Sequence, residues 1–346
     1  MRSIVLPPLS ALYGAVTRAR LTLYRRGTFR TTTLDRPVIS VGNITTGGTG
    51  KTPLVEWVAR TLAAEGKKVC ILTRGYGRSH PDRHVLVSDG QTVFATASEA
   101  GDEAYLLAKN LEGVAAVISD ANRAAAGKDA IKHLNPDCFV LDDGFQHLRL
   151  ARNLNIVTID ATNPWGGGNL LPYGRLREPR SSLSRADCLV ITRADQAEGI
   201  QSLRSELAQL TGGCPQFLSS MRTVRIARLS DSSKSPELPK RSAAFCAVGN
   251  PQSFFTQLRD EGQELSFTKA FPDHYSYTQK DLDRLVNAAK KAGVDALITT
   301  AKDAVKLQSL TIAMPCYILE ISIDVENSEE LRKLIRSTAG QSSGGS

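Results

Sequence analysis

The sequence predicts an α/β protein: a mainly parallel sheet flanked by helices, a smaller α/β second domain, and an amphipathic helix at the N-terminal end. Three observations carry this. Short apolar runs at 37–41, 68–72, 114–118, 138–141, 155–159 and 188–191 alternate with stretches of helical spacing, as in a sheet built by crossovers. The first run passes through a glycine-rich loop straight into a helix. A polar, proline-containing connector at 230–242 precedes a second series, with strands at 243–248, 296–299 and 316–321 and helices near 251–260, 278–292 and 328–336. With 346 residues the chain can build two cores. The expected organisation is a helix over 1–26, a core domain over 27–225, a linker over 226–242, a smaller domain over 243–336 that closes over the site, and a disordered tail over 337–346.

The glycine-rich loop reads Gly42-Asn43-Ile44-Thr45-Thr46-Gly47-Gly48-Thr49-Gly50-Lys51-Thr52. The helix after it, 53–64, sets Leu54, Trp57, Val58 and Leu62 on one face. Strand, glycine loop, Lys-Thr and helix follow in the order a phosphate-binding loop needs. Glycines such as Gly47, Gly48 and Gly50 let backbone N–H groups turn onto phosphate oxygens, Thr49 among them. The helix start adds its positive dipole end, Lys51 a mobile cation, and Thr52 a hydroxyl for Mg2+. Pro53 suits a first helical turn. The first domain is therefore expected to be of the P-loop NTPase type. The loop departs from the usual pattern at Thr45, where a glycine is customary. Partitioning-type ATPases carry a second lysine at the place of Thr46, so that class is disfavoured.

The second signal is the apolar run 138–141 followed by Asp142 and Asp143. A strand ending in an acid beside a phosphate loop is the arrangement that holds Mg2+. Gly144, Phe145, Gln146 and His147 continue that loop with more polar groups. Other stretches have two readings each. Arg74-Gly75-Tyr76-Gly77-Arg78 ends a strand, where ligands of open α/β sheets sit, or is a turn with solvated arginines. Asp102, after Gly101, favours a helix start or serves chemistry. Arg123 stands near a helix start, where the dipole prefers an anion; it meets an anionic ligand or makes a surface salt bridge. The glycine-rich run 165–179 is long for a compact domain, as functional or mobile loops are. Thr192-Arg193-Ala194-Asp195 is weakly similar to the base-reading motif of GTPases. His274 lies between the first two strands of the second domain; an unperturbed histidine changes charge near neutrality, so this residue can move protons or hold a structural hydrogen bond.

Charge and cysteine usage narrow the class. The net charge of +8 favours an anionic partner, a nucleotide or an acidic membrane. No lysine-rich run or interleaved aromatic-basic platform points to nucleic acid. The six cysteines form no C-x-x-C pair and fall mostly in apolar runs, so they are read as buried hydrophobes of a reducing compartment. In the N-terminal segment Arg2 precedes an uncharged stretch, 3–17, then Arg18, Arg20, Arg25 and Arg26. The stretch is too short to cross a bilayer and contains Pro7 and Pro8; it lacks a cleavage site. Leu9, Leu12, Tyr13, Val16, Leu23 and Tyr24 recur at helical spacing. This suits a helix in a membrane interface, or one packed on the protein's own core.

Taken together, these loops resemble the tetraacyldisaccharide 4'-kinase family of lipid A biosynthesis. The matching stretches are 47–53, 74–78, 101–103, 142–147, 171–179, 273–275 and 299–307, in the same order and over roughly 1–330. The family's phosphate loop also lacks the first glycine. This chain departs at Ala301, where many members carry an acidic residue. The resemblance implies an ATP- and Mg2+-dependent transfer of phosphate to the 4'-hydroxyl of a tetraacylated glucosamine disaccharide 1-phosphate, giving the 1,4'-bisphosphate. It implies phosphate binding by Lys51 and Thr52 and metal binding by Thr52, Asp142, Asp143 and Glu178. Gln146 would help organise the metal, Arg123 would steady the γ-phosphate, and Arg74 and Tyr76 would line the site. Asp102 would be the general base, assisted by His274. It further implies a membrane-embedded lipid substrate and an anionic membrane surface met by 1–26. The place would be the cytoplasmic face of the inner membrane, peripheral or monotopic, with neither a nucleic acid nor an obligate protein partner. The rival readings are a P-loop phosphotransferase or GTPase on a soluble substrate, and a nucleotide-switched assembly ATPase.

Overall fold

The computed structural model describes residues 2–230 and 237–340. Residues 231–236 of the expected linker and 341–346 of the expected tail lie outside the described residues. The chain divides into two compact units, one made of the residues up to 220 with those from 324 on, the other of residues 221–323.

The first unit opens with helix α1 (Arg2–Arg25). Then come β1 (Val38–Gly42), α2 (Lys51–Ala64), β2 (Val69–Thr73), β3 (Val85–Ser88), α3 (Ala97–Ala100), α4 (Asp102–Asn110), β4 (Ala115–Ser119), α5 (Arg123–His133), β5 (Cys138–Asp142), β6 (Leu154–Asp160), β7 (Cys188–Thr192), α6 (Ile200–Thr211) and β8 (Gln216–Arg228), which leads out of the unit. The sheet order here is β8-β7-β6-β1-β5-β2-β4-β3. Its pairs are parallel except β3 with β4. β1, β2, β4, β5 and β7 are buried at every position. This is why they read as continuous apolar runs rather than alternating ones. β1 lies between β5 and β6, with Val41 opposite Asp142 and Gly42 opposite Val157. That register sets the exit of the glycine loop beside the acid that ends β5.

The second unit contains β9 (Arg241–Cys246), α7 (Pro251–Asp260), β10 (Glu264–Ala270), α8 (Gln279–Lys291), β11 (Leu297–Thr300), α9 (Ala301–Leu307) and most of β12 (Cys316–Val325). Its strands run in the order β10-β9-β11-β12. Phe245, Leu282, Leu285 and Leu297 form a core on one face, and Phe255, Leu258, Ile298 and Leu319 on the other. Thr278 and Asp281 cap α8 reciprocally.

The boundaries differ from the sequence expectation in three ways. Residues 226–228 finish β8 and 241–242 begin β9, so the expected linker is partly strand. Residues 337–339 belong to a helix rather than a tail. That helix, α10 (Ser328–Ala339), belongs to the first unit and not to the smaller domain. It lies against α2 and β1. Leu331 and Ile335 are fully buried, and the Arg332 guanidinium covers the Trp57 ring at 4.7 Å and donates to Thr61 Oγ1 at 3.1 Å. An amphipathic stripe shows that a helix packs, not which core it packs on.

All six cysteines are free thiols, and all but Cys214 are buried. Burial pushes the Cys138, Cys246 and Cys316 thiols up to about 12, so they stay protonated. Among the described residues no helix is long and apolar enough to cross a membrane. Replacement of Leu331 by Ala is expected to cost about 3 kcal/mol in thermal or denaturant unfolding. A loss below about 0.5 kcal/mol, the scale of an exposed site, would show that α10 is not docked on the first unit.

Candidate active site

The glycine loop is held from three sides. On one side, Asn43 Nδ2 donates to Thr49 Oγ1 at 2.8 Å, and Thr49 Oγ1 shares a 2.8 Å hydrogen bond with Thr158 Oγ1. On another, Thr192 Oγ1, at the end of β7, donates to the Thr49 carbonyl at 3.0 Å. On the third, the loop's first part pairs with a distant segment: Arg177 N donates to Ile44 O and Thr46 N to Arg175 O, both at 2.7 Å. Thr45 and Leu176 form the antiparallel bridge between them. Gly47 and Gly50 take positive φ of 116° and 80°, and α2 starts at Lys51. The N–H groups from Gly47 to Thr52 therefore belong to a fixed turn and a helix start, the geometry that binds phosphate.

The two adjacent acids have opposite surroundings. Asp143 (φ +50°) accepts from Arg177 Nη1 at both carboxylate oxygens, 2.9 and 2.7 Å, and lies 3.6 Å from Lys51 Nζ. Burial would raise its pKa. Lys51 and Arg177, with Arg123 behind them, outweigh burial and hold it well below the usual carboxylate range. Asp142 is buried and accepts a 2.8 Å hydrogen bond from Thr73 Oγ1. Its carboxyl is pushed up to about 6, first by burial and then by Glu103 and Asp143, with Lys51 and the Thr73 hydrogen bond opposing.

Around this pair lie the other expected residues of the first unit. Arg123 opens α5, with Asn122 as its N-cap, and is buried. Burial lowers its pKa, whereas Asp143 and Asp142 act to keep it charged. Its Nη1 meets His147 Nδ1 at 3.2 Å. Arg74 is near enough to oppose Arg123's charge. Gly75 and Gly101, with φ of +67° and +91°, let the two loops touch: a Cβ on Gly101 would stand 2.6 Å from Tyr76 O. The 74–78 turn thus abuts the start of α4, where Asp102 is the first helical residue. Tyr76 is exposed. Arg78 is buried and donates to Ser119 O, so it is a brace for this turn rather than a solvated arginine. Gln146 Nε2 donates to Asn43 O at 2.9 Å, at the root of the glycine loop.

Two expected residues lie in other settings. Glu178, expected near the metal, is buried and takes a 2.7 Å salt bridge from Arg185, whose guanidinium stacks on Phe145 at 4.3 Å. Its charge is thus matched within the protein. His274 belongs to the second unit and has φ of +59°. Its N–H donates to Asp273 Oδ1 at 3.0 Å, and its Nε2 is 3.4 Å from Lys302 Nζ.

A sequence model of the family described as Tetraacyldisaccharide-1-P 4'-kinase matches residues 2–339. The chain belongs to the tetraacyldisaccharide 4'-kinase family. It is 46% identical over 306 residues to the Tetraacyldisaccharide 4'-kinase of Geobacter metallireducens, covering 88% of each chain. With that of Desulfotalea psychrophila it shares 41% over 313 residues, covering 90% of this chain and 89% of the relative. Among solved structures it resembles the LpxK of Aquifex aeolicus, crystallised in complex with ATP. The TM-score is 0.75 and the identity 34%, over 96% of this chain and 97% of that one.

In this family member the surroundings of Asp142 fit a divalent cation. No Lys, Arg or His lies within ion-pair distance of it among the described residues, and Lys51, acting from further off, only partly offsets its burial. Mg2+ commonly takes one or two carboxylates plus substrate phosphates rather than a protein cage. Among the described residues no group of three or more His, Cys, Asp or Glu is placed to hold a metal unaided. Two residues of the site escaped sequence reasoning, and a third, His147, was read only as a polar group of the loop after β5. Arg177, the clamp on Asp143, sits in the 171–179 motif without any periodic signal. Glu103 follows Asp102 and acts on Asp142 through its charge. His147 is pushed down to about 3, first by burial and then by Arg123 and other arginines, and so is neutral at physiological pH.

The raised Asp142 pKa has a stability consequence. The folded chain prefers the protonated carboxyl, so Asp142 costs nothing below the unfolded pKa of about 4 and its full cost is present above about 6. Asp142→Asn is expected to raise the unfolding temperature of Mg2+-free protein at pH 8 but not at pH 4, and to lower kcat by at least about 100-fold. Equal unfolding temperatures at pH 8 would contradict the raised pKa.

Proposed function

We propose that this chain carries out the family reaction: it transfers the γ-phosphoryl group of ATP to the 4'-hydroxyl of a tetraacylated disaccharide 1-phosphate, a step of lipid A biosynthesis. The single observation that carries this is the fixed phosphate loop beside an unneutralised buried carboxylate, in a chain matched to this kinase family over 2–339. Phosphoryl transfer asks little covalent chemistry of a protein; it asks for alignment and for neutralisation of oxygen charge.

In this reading the N–H groups of Gly47, Gly48, Thr49, Gly50, Lys51 and Thr52 take the ATP phosphates. Lys51 reaches over them, its ammonium aimed by Asp143. Arg123 steadies the γ-phosphoryl oxygens, and Arg74 and Tyr76 line the approach. Asp142 with the Thr52 hydroxyl holds Mg2+, which supplies further charge neutralisation across the phosphates. Asp143 serves this set by ordering Lys51 and Arg177, and Gln146 by bracing Asn43. Glu178 supports it from outside by holding Arg185. Asp102 accepts the proton of the 4'-hydroxyl. His274, named with Asp102 by the family resemblance, belongs to the second unit.

Four acyl chains keep such a substrate in a bilayer, and α1 has the surface for meeting one. Leu9, Leu12 and Val16 are 46%, 61% and 60% exposed on one stripe, with Arg18, Arg25 and Arg26 also exposed. We propose that this stripe lies in an anionic membrane interface, on the cytoplasmic side where ATP is available.

Two measurements test these assignments. Purified protein with ATP, Mg2+ and the lipid disaccharide is expected to form the 1,4'-bisphosphate. Asp102→Ala should lose about 100-fold or more in kcat while ATP affinity stays within about two-fold; near-normal turnover would return Asp102 to the role of helix-start residue. The paired change Leu12→Ser and Val16→Ser should release the protein from anionic vesicles in co-sedimentation. Unchanged binding would remove α1 from the membrane contact.

A further inference from the structure

α1 has a second face, and it leads to the phosphate loop. Leu6, Ser10, Tyr13, Gly14, Thr17, Leu21 and Tyr24 are buried or half-buried at spacings of three and four, the inward stripe of a helix. Ser10 Oγ donates to Leu170 O at 2.8 Å, and Tyr13 OH to Arg177 O at 3.0 Å. Gly14 faces Leu170 so closely that a Cβ there would be 2.7 Å from Leu170 Cδ1. The segment these groups hold is closed on itself: Leu171 N donates to Leu176 O, Gly174 N to Leu170 O and Leu176 N to Asn169 O. Its far edge pairs with Ile44 and Thr46 of the glycine loop, and its Arg177 side chain clamps Asp143, which faces Lys51.

We infer that Ser10 and Tyr13 are positioning residues for the kinase site. They fix the 170–177 segment and, through it, the Arg177–Asp143–Lys51 array and the root of the phosphate loop. α1 is thus part of the catalytic scaffold as well as a surface for lipid. The inference rests on the reading of Asp143 and Arg177 as the groups that order Lys51. The carbonyl of Arg177 is the pivot: its residue gives its N–H to Ile44, its carbonyl to Tyr13 and its guanidinium to Asp143. Losing the Tyr13 hydroxyl leaves the helix and its packing but frees one of those three ties.

The test uses full-length protein with the lipid substrate in non-ionic detergent micelles, so that bilayer attachment does not enter. Tyr13→Phe with Ser10→Ala is expected to lower kcat about five-fold or more, with vesicle binding unchanged. Thr22→Ala, whose hydroxyl bonds only within the helix to Arg18 O, should leave turnover unchanged. The decisive arm repeats the pair of substitutions on an Arg177→Lys background, where the guanidinium nitrogen that meets both Asp143 oxygens is gone. There the further loss should shrink to below about two-fold, because both changes act through one array. Turnover within two-fold of the parent in the Ser10/Tyr13 variant would overturn the inference. So would the full loss recurring on the Arg177→Lys background, since α1 would then support only the fold. If Arg177→Lys itself leaves kcat unchanged, the clamp reading falls and this inference with it, while phosphate transfer by the parent still stands.

Discussion

The constraint on which the site depends is the placement of two carboxylates on consecutive residues at the end of a fully buried strand. Asp142 ends β5 buried beside the Thr73 hydroxyl, while Asp143 leaves the strand at positive φ. Two adjacent anions in a poorly solvated place repel one another, and the protein answers each differently. Asp143 receives one arginine nitrogen on both of its oxygens, and a lysine. Asp142 is raised by burial, Glu103 and Asp143, and only partly offset by a threonine hydroxyl and by Lys51 at longer range. Opposite corrections give opposite pKa values, and the uncorrected member is left wanting a cation.

Around that pair the fold works as a set of registers. β1 between β5 and β6 sets the loop beside the acids, and Thr158 within β6 and Thr192 at the end of β7 fasten its middle. Arg177 ties it to the 170–177 segment and so to α1. The loop itself is short of the glycine usual at Thr45. Here that residue forms a strand-like bridge with Leu176, a use that needs an ordinary extended backbone. The departure from the common phosphate-loop pattern is thus also where the loop is sewn to its neighbour.

What could be read from the residues followed from local rules. The glycine loop, the buried strands around it, Asp142 and Asp143 at a strand end, and the start of α5 beside Arg123 all declare themselves through spacing. Buried parallel strands are continuous apolar runs, and such runs are hard to miss. β3, β8 and β10 were not legible, because each is partly exposed and its apolar pattern is broken. The short α9 lay hidden inside the 299–307 motif. α10 was visible as a helix but assigned to the wrong unit, since its stripe does not name its partner. Arg177 and Tyr13 were invisible as site residues for a related reason. Their roles lie in contacts across 34 and 164 residues of chain, which no periodicity encodes. Glu178, expected at the metal, also takes a salt bridge from Arg185, and only three-dimensional proximity decides which cation a buried acid meets in the protein.

Burial, Glu103 and Asp143 raise the Asp142 carboxyl further than Lys51 and the Thr73 hydrogen bond lower it, and a cation bound there with the nucleotide would drive its proton off. Isothermal titration of Mg2+ and ATP into the protein, in buffers of different ionisation enthalpy, counts the protons released on binding. Release of about three quarters of a proton per site is expected at pH 5.5, fading by pH 8, and absent in Asp142→Asn once the proton release of Mg2+–ATP association itself is subtracted. Release that is absent at pH 5.5, or that persists in the Asn variant, would contradict it.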